Sequence, residues 1–370
     1  MIDMRKRELF RACCDFENTG RFAQFEHGFW EETYEKWKGE GLTGGVVFPN
    51  FTGYSKGDLF EHFDILKPGY ITPDIYMIPP LETQVLEETN ESVVVRNGNG
   101  AILKTLKTAK TLPQEIGYAI KSKKDYLEYR DRLTIPALGV RINKRVWNDI
   151  GEYKNQDDYA AVCTHMHGFF SYPREILGVV NTLLEYYDEP DFMHMLYKDR
   201  VGLYKKVFEP ILKEIRLDFA FIWEDMCYKN GPLISPDLFR EFLLPAYKEL
   251  ISFLHDFGIT RIIVDSDGDV MKLLPLWIEA GITGVLPFEV QSGMDVVKIG
   301  EQFPKLTIIG GINKYELFKT KADIDAELSR VLPAMAKRGG YIPTLDHWVP
   351  PEIPLENFEY YLEKVRNFKF

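Results

Sequence analysis

The sequence predicts an α/β fold, a (β/α)8 TIM barrel with an antiparallel β meander inserted near residues 82–106. From residue 160 onward, short apolar strands alternate with helical segments, which is typical of parallel βαβ units. With two earlier strand candidates the predicted strands number about eight, as in that barrel. No GxGxxG motif opens any of the helices, which disfavours a doubly wound open sheet.

The amino-terminal third supplies the first two strand candidates and the insertion. Residues 4–18 have apolar side chains at helical spacing, and residues 21–29 (RFAQFEHGF) alternate as a first strand would. A second, weakly marked strand is predicted at residues 75–79 (IYMIP). Between residues 82 and 106, β-type runs are joined by turn signals such as the Asn-Gly pairs of residues 97–100, which predict hairpins.

Six further strands follow, and each precedes at least one predicted helix. The strands are residues 160–165, 219–225, 261–267, 284–289, 307–312 and 341–347. The helices are residues 173–186, 190–215, 235–257, 270–280, 294–302, 321–338 and 355–367. Because no linker rich in Pro, Gly or Ser interrupts this alternation, residues 1–370 are predicted to form a single domain.

Composition disfavours several classes of function. The net charge of −11 is the wrong sign for a protein that binds nucleic acid. The four cysteines are scattered and form no CxxC pair, which indicates a reducing, cytoplasmic setting rather than a disulfide framework. The charged amino terminus does not resemble a signal peptide, and no run of apolar residues predicts a membrane span.

Polar side chains stand at the carboxyl ends of most predicted strands, which in a barrel meet at one face and form the active site. The stretch Thr260–Asp269 shows this most clearly, with Asp265, Asp267 and Asp269 after an apolar strand. The alternative for this stretch is a solvated loop in which Asp269 caps the next helix. The predicted site residues are Glu26, His27, His165, His167, Trp223, Glu224, Asp265, Asp267, Glu289, Asn313, His347 and Trp348.

Two histidine motifs each leave two interpretations open. His165 and His167 share one face if their strand continues that far, which suits a metal, but one of them could equally be a buried structural residue. Asp346 could orient His347 for acid/base chemistry, or the two could belong to a local turn before the following prolines.

Several segments together resemble the uroporphyrinogen decarboxylase superfamily. They are residues 223–250 (WEDMCYKNGPLISPDLFREFLLPAYKEL), 264–275 (VDSDGDVMKLLP), 287–299 (PFEVQSGMDVVKI), 310–317 (GGINKYEL) and 339–362 (GGYIPTLDHWVPPEIPLENFEYYL), with a looser likeness over residues 1–45. The resemblance implies a (β/α)8 barrel and one of two chemistries, tetrapyrrole decarboxylation or methyl transfer to or from corrinoid proteins.

The sequence departs from the decarboxylase pattern of this superfamily. The decarboxylases carry an arginine-rich RQAGRY segment, and guanidinium groups suit a substrate with many carboxylates. The matching stretch here, RFAQFEHGF, keeps only Arg21 and presents Glu26. The resemblance therefore argues against a tetrapyrrole substrate.

The sequence also departs from the superfamily's thiol methyltransferases, which bind zinc through a His-x-Cys-Gly segment and a later cysteine. The matching residues here are Asp265-Ser266-Asp267-Gly268, so zinc-thiolate chemistry is not expected. No metal site is firmly predicted. Zinc or another divalent metal could still be held through oxygen and nitrogen, with these candidate ligands: His165, Glu224, Asp265 and His347.

The remaining branch moves a methyl group from a small methoxylated aromatic or methylated amine to the corrinoid (cobalamin) of a partner protein. By this resemblance the catalytic residues are Asp267, Asp265, Glu224 and His347, and the other site residues contact the substrate. An acid would protonate the leaving oxygen of an ether, whereas a quaternary amine needs only an aromatic, acidic pocket. The alternatives are a lyase that decarboxylates a carboxylated substrate and a non-catalytic binding protein. Superfamily members often form homodimers, so one is possible here.

Overall fold

The computed structural model describes residues 4–51, 55–108, 113–156 and 158–370. Its α-helices are α1 Lys6–Cys14, α2 Glu31–Gly39, α3 Leu59–His62, α4 Lys123–Thr134, α5 Leu138–Arg141, α6 Lys144–Asn155, α7 Ser171–Leu177, α8 Val179–Asp188, α9 Pro190–Glu214, α10 Pro236–Leu238, α11 Leu244–Asp256, α12 Leu274–Ala280, α13 Val296–Gln302, α14 Lys321–Arg338 and α15 Leu355–Asn367. Its strands are β1 Lys67–Ile71, β2 Gln84–Glu88, β3 Ser92–Arg96, β4 Ala101–Leu106, β5 Gln114–Tyr118, β6 Ala160–Thr164, β7 Met166–His167, β8 Ala220–Trp223, β9 Cys227–Tyr228, β10 Gly231–Pro232, β11 Ile262–Asp265, β12 Gly284–Leu286, β13 Thr307–Ile309 and β14 Tyr341–Ile342. Within these described ranges, no helix combines the length and the apolar character that a membrane crossing requires.

The central strands are parallel. Six form one sheet in the order β14-β13-β12-β11-β8-β7, and β1 pairs with β6 in a second parallel sheet. Single parallel bridges join segments that these ladders leave apart: Cys163 to Phe219, Phe25 to Leu66, and Phe29 to Val349. The predicted α/β class with a parallel sheet is confirmed. The hydrogen-bonded ladders do not by themselves form a ring of eight strands, so closure of the barrel stays a prediction.

An inner apolar cluster collects side chains from eight successive segments of the chain. The members that lie in strands or in the single bridges are Phe25, Leu66, Tyr70, Ala161, Cys163, Phe219, Phe221, Ile263, Leu286, Ile309 and Ile342. Because side chains alternate along a strand, the neighbouring positions, such as Ile262 and Val264, belong to the larger cluster that packs against the helices. A layer of inward-pointing apolar side chains is what the interior of a barrel requires.

Helix α1 covers the amino ends of the strands. The ring of Phe10 lies 5.1 Å from that of Phe25, inside the inner cluster. Thr307, the first residue of β13, donates a hydrogen bond to the carbonyl of Cys14 at 2.9 Å. Since α1 occupies this end, the carboxyl ends of the strands are the open side on which a site can form.

The prediction of a second strand at residues 75–79 is wrong, because the strand is β1, residues 67–71. The guanidinium of Arg141 donates to the carbonyls of Asp74 and Tyr76, at 2.9 and 2.8 Å. Those carbonyls are therefore engaged by a side chain instead of a strand ladder. The predicted strand fails because the buried guanidinium of Arg141, more than 60 residues further along the chain, binds this segment. No local sequence pattern indicated that contact.

Two other predicted elements differ in detail. Residues 21–29 contain no regular strand and join their neighbours only through the bridges at Phe25 and Phe29. The helix predicted over residues 173–186 is two helices, α7 and α8, divided at Gly178, whose φ of 84° is incompatible with continued helix.

The inserted meander is present and is larger than predicted. It is a sheet of four antiparallel strands in the order β2-β3-β4-β5, so it extends past residue 106 to Tyr118. The predicted turn is formed by Asn97, whose Oδ1 accepts from the backbone amides of Asn99 and Ala101, both at 3.0 Å. The fourth strand, QEIGY, lacks a clear alternation of apolar side chains, which explains why it was not predicted.

Candidate active site

Asp267 and His347 meet at the carboxyl ends of β11 and β14. The Oδ2 atom of Asp267 lies 3.5 Å from the Nε2 atom of His347. The indole ring of Trp30 stacks on the imidazole of His347, with ring centroids 5.9 Å apart and planes 9° apart. Two of the four predicted catalytic residues are therefore in direct contact, although they come from different strands.

Glu289 completes a three-residue cluster with this pair. One ligand atom from each of Asp267, Glu289 and His347 lies within 4.8 Å of the other two. The Oε2 atom of Glu289 also accepts a hydrogen bond from the backbone amide of Gly268 at 3.0 Å, which fixes the carboxylate near the loop after β11. Two carboxylates and one imidazole are a donor set that fits a divalent metal. Only His347 was among the metal ligands predicted from the sequence.

The protonation of the Asp267–His347 pair is set by mutual attraction. Burial acts to raise the pKa of Asp267, but the hydrogen bond and charge of His347 outweigh it and lower that pKa. Burial acts to lower the pKa of His347, and Asp267 reverses this and raises it. The two shifts favour a carboxylate beside an imidazolium, which is an ion pair.

Asp265 faces His27 in a drier environment. Its Oδ2 atom lies 3.6 Å from the Nε2 atom of His27, and both side chains are about nine-tenths buried. Burial raises the pKa of Asp265 well above its ordinary value, and the neighbouring charge of Asp267 acts in the same direction. Burial lowers the pKa of His27 to about 3. The arrangement favours a protonated, neutral Asp265 beside a neutral imidazole.

His165 and His167 are neighbours, with ring centroids 5.7 Å apart. Burial, with a smaller effect of His167, lowers the pKa of His165 to about 3. Both nitrogens of His167 are engaged, because Nδ1 lies 2.6 Å from an oxygen of Glu175 and Nε2 lies 3.2 Å from the hydroxyl of Tyr76. The contacts of His167 therefore favour hydrogen bonding over metal ligation.

Glu224 anchors the start of α7. Its two carboxylate oxygens accept hydrogen bonds from the backbone amides of Phe169, Phe170 and Ser171 at 3.0 to 3.1 Å, and from the hydroxyl of Tyr247. The side chain is fully buried, and burial raises its pKa to about 7. These contacts occupy the oxygens that the predicted catalytic role would need, so the geometry favours an anchoring role for Glu224.

Glu26 and Asn313 are also engaged away from the cluster. The oxygens of Glu26 accept from the hydroxyl of Tyr361 at 3.0 Å and from the amide of Leu345 at 3.2 Å. The Oδ1 atom of Asn313 accepts from the amide of Tyr315 at 3.1 Å and caps the short helix that follows β13. Both side chains therefore stabilise the local structure through hydrogen bonds within the protein.

Aromatic rings line the rest of these strand ends. Trp348 packs edge-on to His27, with centroids 6.0 Å apart, and Trp223 packs edge-on to His167 at 5.2 Å. Phe221 lies between the histidines, 5.8 Å from His27 and 5.7 Å from His165. Phe221 was not predicted as a site residue, although it stands two positions before Trp223 and so shares its strand face.

Glu175 and Tyr76 were missed as well, and the sequence carried no signal for either. Glu175 belongs to α7, and Tyr76 lies in an irregular segment. Asp346 was expected to orient His347, but its carboxylate accepts from the amides of Val290 and Lys314, at 3.0 and 3.1 Å. It therefore ties two loops together, and Asp267 is the partner of His347.

The carboxyl-terminal part of the chain is similar to a known protein family. Residues 220–368 match the family model described as uroporphyrinogen decarboxylase (URO-D). This segment, about two fifths of the chain, is similar to that family. The match begins at β8 and ends after α15, so it includes the Asp265, Asp267, Glu289 and His347 positions.

Curated relatives match a similar length of this chain. The chain is 30% identical over 136 residues to the uroporphyrinogen decarboxylase of Hyphomonas neptunium, and 26% identical over 136 residues to that of Syntrophotalea carbinolica. Each match spans 36% of this chain and 38% of the relative.

A solved structure shares the fold over its whole length. A methyltransferase from Methanosarcina mazei superposes with a TM-score of 0.67, covering 99% of each chain at 15% identity. Two chains of such low identity share an architecture, so this comparison extends the fold beyond the segment that the family model matches.

Proposed function

We propose that this protein transfers a methyl group from a small methoxylated aromatic or methylated amine to the corrinoid of a partner protein. The observation that carries the proposal is the acid–imidazole cluster of Asp265, Asp267, Glu289 and His347 among aromatic rings. The proposal takes the parallel strands to close into the predicted eight-stranded barrel, at whose carboxyl end these groups share one opening.

The reaction needs help at the atom that the methyl group leaves. The corrinoid is the second substrate, and it supplies the nucleophile that accepts the methyl group. For an aryl ether, the carbon–oxygen bond breaks, its electron pair stays on the oxygen, and a proton converts that oxygen to a phenol. Asp265, which burial keeps protonated, can donate this proton. For a protonated amine the same acid would keep the proton on the leaving nitrogen.

The neighbouring residues would bind and orient the donor. The imidazole of His347, held by Asp267, presents a charged hydrogen-bond donor beside the acid. Trp30 and Trp348, whose centroids lie 5.2 Å apart, offer ring faces to a flat or cationic molecule. Asp267, Glu289 and His347 could hold a divalent metal, which would polarise the leaving oxygen as a Lewis acid.

Decarboxylation is the second candidate, because the family model that matches residues 220–368 and the curated relatives are both named uroporphyrinogen decarboxylase. A substrate with many carboxylates needs several guanidinium groups. Arg21, the one arginine kept in the matching amino-terminal stretch, donates to the carbonyl of Met4 at 2.9 Å, on the side of α1. The carboxylates at the strand ends would repel such a substrate. A decarboxylase with this site would therefore act on a smaller acid with fewer carboxylates.

The test is methyl transfer to a reduced corrinoid protein with a panel of methoxybenzenes and methylamines, followed by the corrinoid absorption spectrum. We expect transfer with at least one donor class, and we expect Asp265→Asn to slow demethylation of an active methoxybenzene about 100-fold. Asp269→Asn is the matched control, since its Oδ1 only accepts from the amide of Met271 at 3.0 Å. No transfer from any donor, with carbon dioxide released from an acid when no corrinoid is present, would establish the decarboxylase instead.

A further inference from the structure

A cavity of about 220 Å³ lies between the meander and α7, outside the cluster described above. Strands of the meander contribute Asn97, Ala101 and Glu115 to its wall, and the opposite side is formed by Tyr172 and Glu175. An engineered cavity of about 150 Å³ is enough to bind benzene. This cavity therefore has room for a small organic molecule.

Two wall residues of the cavity contact His167, one of the predicted site residues. Tyr76 and Glu175 both line it. They are also the two hydrogen-bond partners of His167, at 3.2 and 2.6 Å. His167 in turn packs against Trp223, which pairs in register with Asp265 across β8 and β11. The wall of the cavity is thus connected to Asp265 through two residues, His167 and Trp223.

The wall carries negative and aromatic groups. Two carboxylates, Glu115 and Glu175, and two phenol rings, Tyr76 and Tyr172, line the space. Among the described side chains that line it, none is a lysine or an arginine. Arg200 stacks on Tyr172 at 4.0 Å without lining the cavity. Carboxylates combined with aromatic faces are the groups that recognise ammonium compounds.

We propose that this cavity binds a small organic ammonium compound. The carboxylates of Glu115 and Glu175 would attract its positive charge, and the rings of Tyr76 and Tyr172 would contact its methyl groups. The binding site itself does not depend on methyl transfer, because its ligand is recognised without corrinoid or partner protein.

The experiment is isothermal titration of the purified full chain with choline, with its uncharged isostere 3,3-dimethylbutan-1-ol, and with methoxybenzene. We expect choline to bind at least about tenfold more tightly than the alcohol, since only the cation gains from carboxylates and ring faces. Glu175→Gln and Glu115→Gln should each weaken choline binding several-fold. Ala101→Leu, which fills the cavity from a buried position, should abolish it.

Glu91→Gln is the matched control, because Glu91 is an exposed acid of the same meander that does not line the cavity. Its choline affinity should equal that of the unmodified protein. The proposal is overturned if choline shows no saturable binding, or if the neutral alcohol or methoxybenzene binds as tightly as choline. It is also overturned if Glu175→Gln and Glu115→Gln bind choline as tightly as Glu91→Gln does. Absence of methyl transfer alongside normal choline binding would overturn only the proposed function.

Discussion

At the scale of single residues, the protonation states of Asp267 and His347 depend on the contact between the two side chains. Each was predicted from its position after a strand, but a strand end followed by an aspartate is usually only a helix cap. The 3.5 Å separation of the two side chains and their opposite pKa shifts give them a shared electrostatic role. Asp265, two residues away, has its pKa shifted upward because it is buried and, to a smaller extent, because the charge of Asp267 lies nearby.

Replacing Asp267 with asparagine should lower the pKa of His347. The Asp267 carboxylate raises this pKa more than the other nearby acid, Glu289, does, so its loss leaves burial to lower the pKa. In the unmodified protein the ion pair stabilises the fold above the lowered pKa of Asp267 and below the raised pKa of His347. Titration of the His347 ring protons by NMR measures the change. An unchanged His347 pKa would show that the pair is not formed in solution, and Asp269→Asn serves as the control.

At the scale of elements, buried acids attach helices to the ends of strands. Glu224, just after β8, holds the first amides of α7, and Glu26 holds α15 through Tyr361. Anionic side chains at a helix amino terminus satisfy amides that have no partner within the helix. Glu224 was predicted as a catalytic residue and Glu26 as a substrate-binding one, because a carboxylate at a strand end has the same local pattern whether it acts on a substrate or anchors a helix.

Gly168→Ala should destabilise the protein by roughly 3 kcal/mol, because a buried polar network would have to move. A methyl group at this position would lie 2.1 Å from Oε2 of Glu224, well inside van der Waals contact. Gly151→Ala in α6 is the matched control, since a methyl group there meets nothing within 4 Å and should stabilise the helix by up to about 1 kcal/mol. Denaturant unfolding compares the two, and equal stability would contradict the anchoring role of Glu224.

Glu26→Gln should flatten the dependence of stability on pH. Burial raises the pKa of Glu26 to about 8 from 4.5, so between these values the folded protein binds more protons than the unfolded chain. Stability therefore falls as pH rises through this window, by on the order of a few kcal/mol from this residue. Glutamine carries no titrating proton, so the difference in unfolding free energy between pH 5 and pH 8 should shrink. The same difference in both proteins would show that Glu26 is not buried as described.

At the scale of the whole molecule, α1 and the inner apolar cluster decide which face carries the site. The helix packs Leu9, Phe10 and Cys13 against strand residues. It is also tied to the amino ends of the strands by the ion pair of Arg7 with Asp218 at 2.7 Å. With that end covered, the carboxyl ends are left for the polar residues that the sequence places there.

Phe10→Ala should destabilise the whole fold by about 3–5 kcal/mol, as expected when a buried aromatic ring leaves a cavity. The ring contacts Phe25 and Phe219 at centroid distances of 5.1 and 5.5 Å, so its loss affects two segments of the inner cluster. Leu184→Ala, at a side chain 53% exposed on α8, should change stability by less than about 0.5 kcal/mol. Global unfolding followed by far-ultraviolet circular dichroism tests both, and a similar small loss for each would contradict the covering role of α1.

The sequence by itself determined the alternation of strands and helices after residue 160, the inserted meander and the resemblance to uroporphyrinogen decarboxylases. These depend on periodicity and turn chemistry, which are local properties of the chain. It also predicted Asp265, Asp267, Glu289 and His347 as site residues, because parallel strands bring their carboxyl ends to one face.

Only the tertiary structure decided which of these polar residues act together. It separated the Asp267–Glu289–His347 cluster from the anchoring acids Glu224 and Glu26. It also located β1, where Gly69 lets the backbone approach Tyr153 so closely that a Cβ would lie 2.9 Å from its ring. Hydrogen-bond partners and burial depend on residues distant in the chain, and a local pattern cannot contain that information.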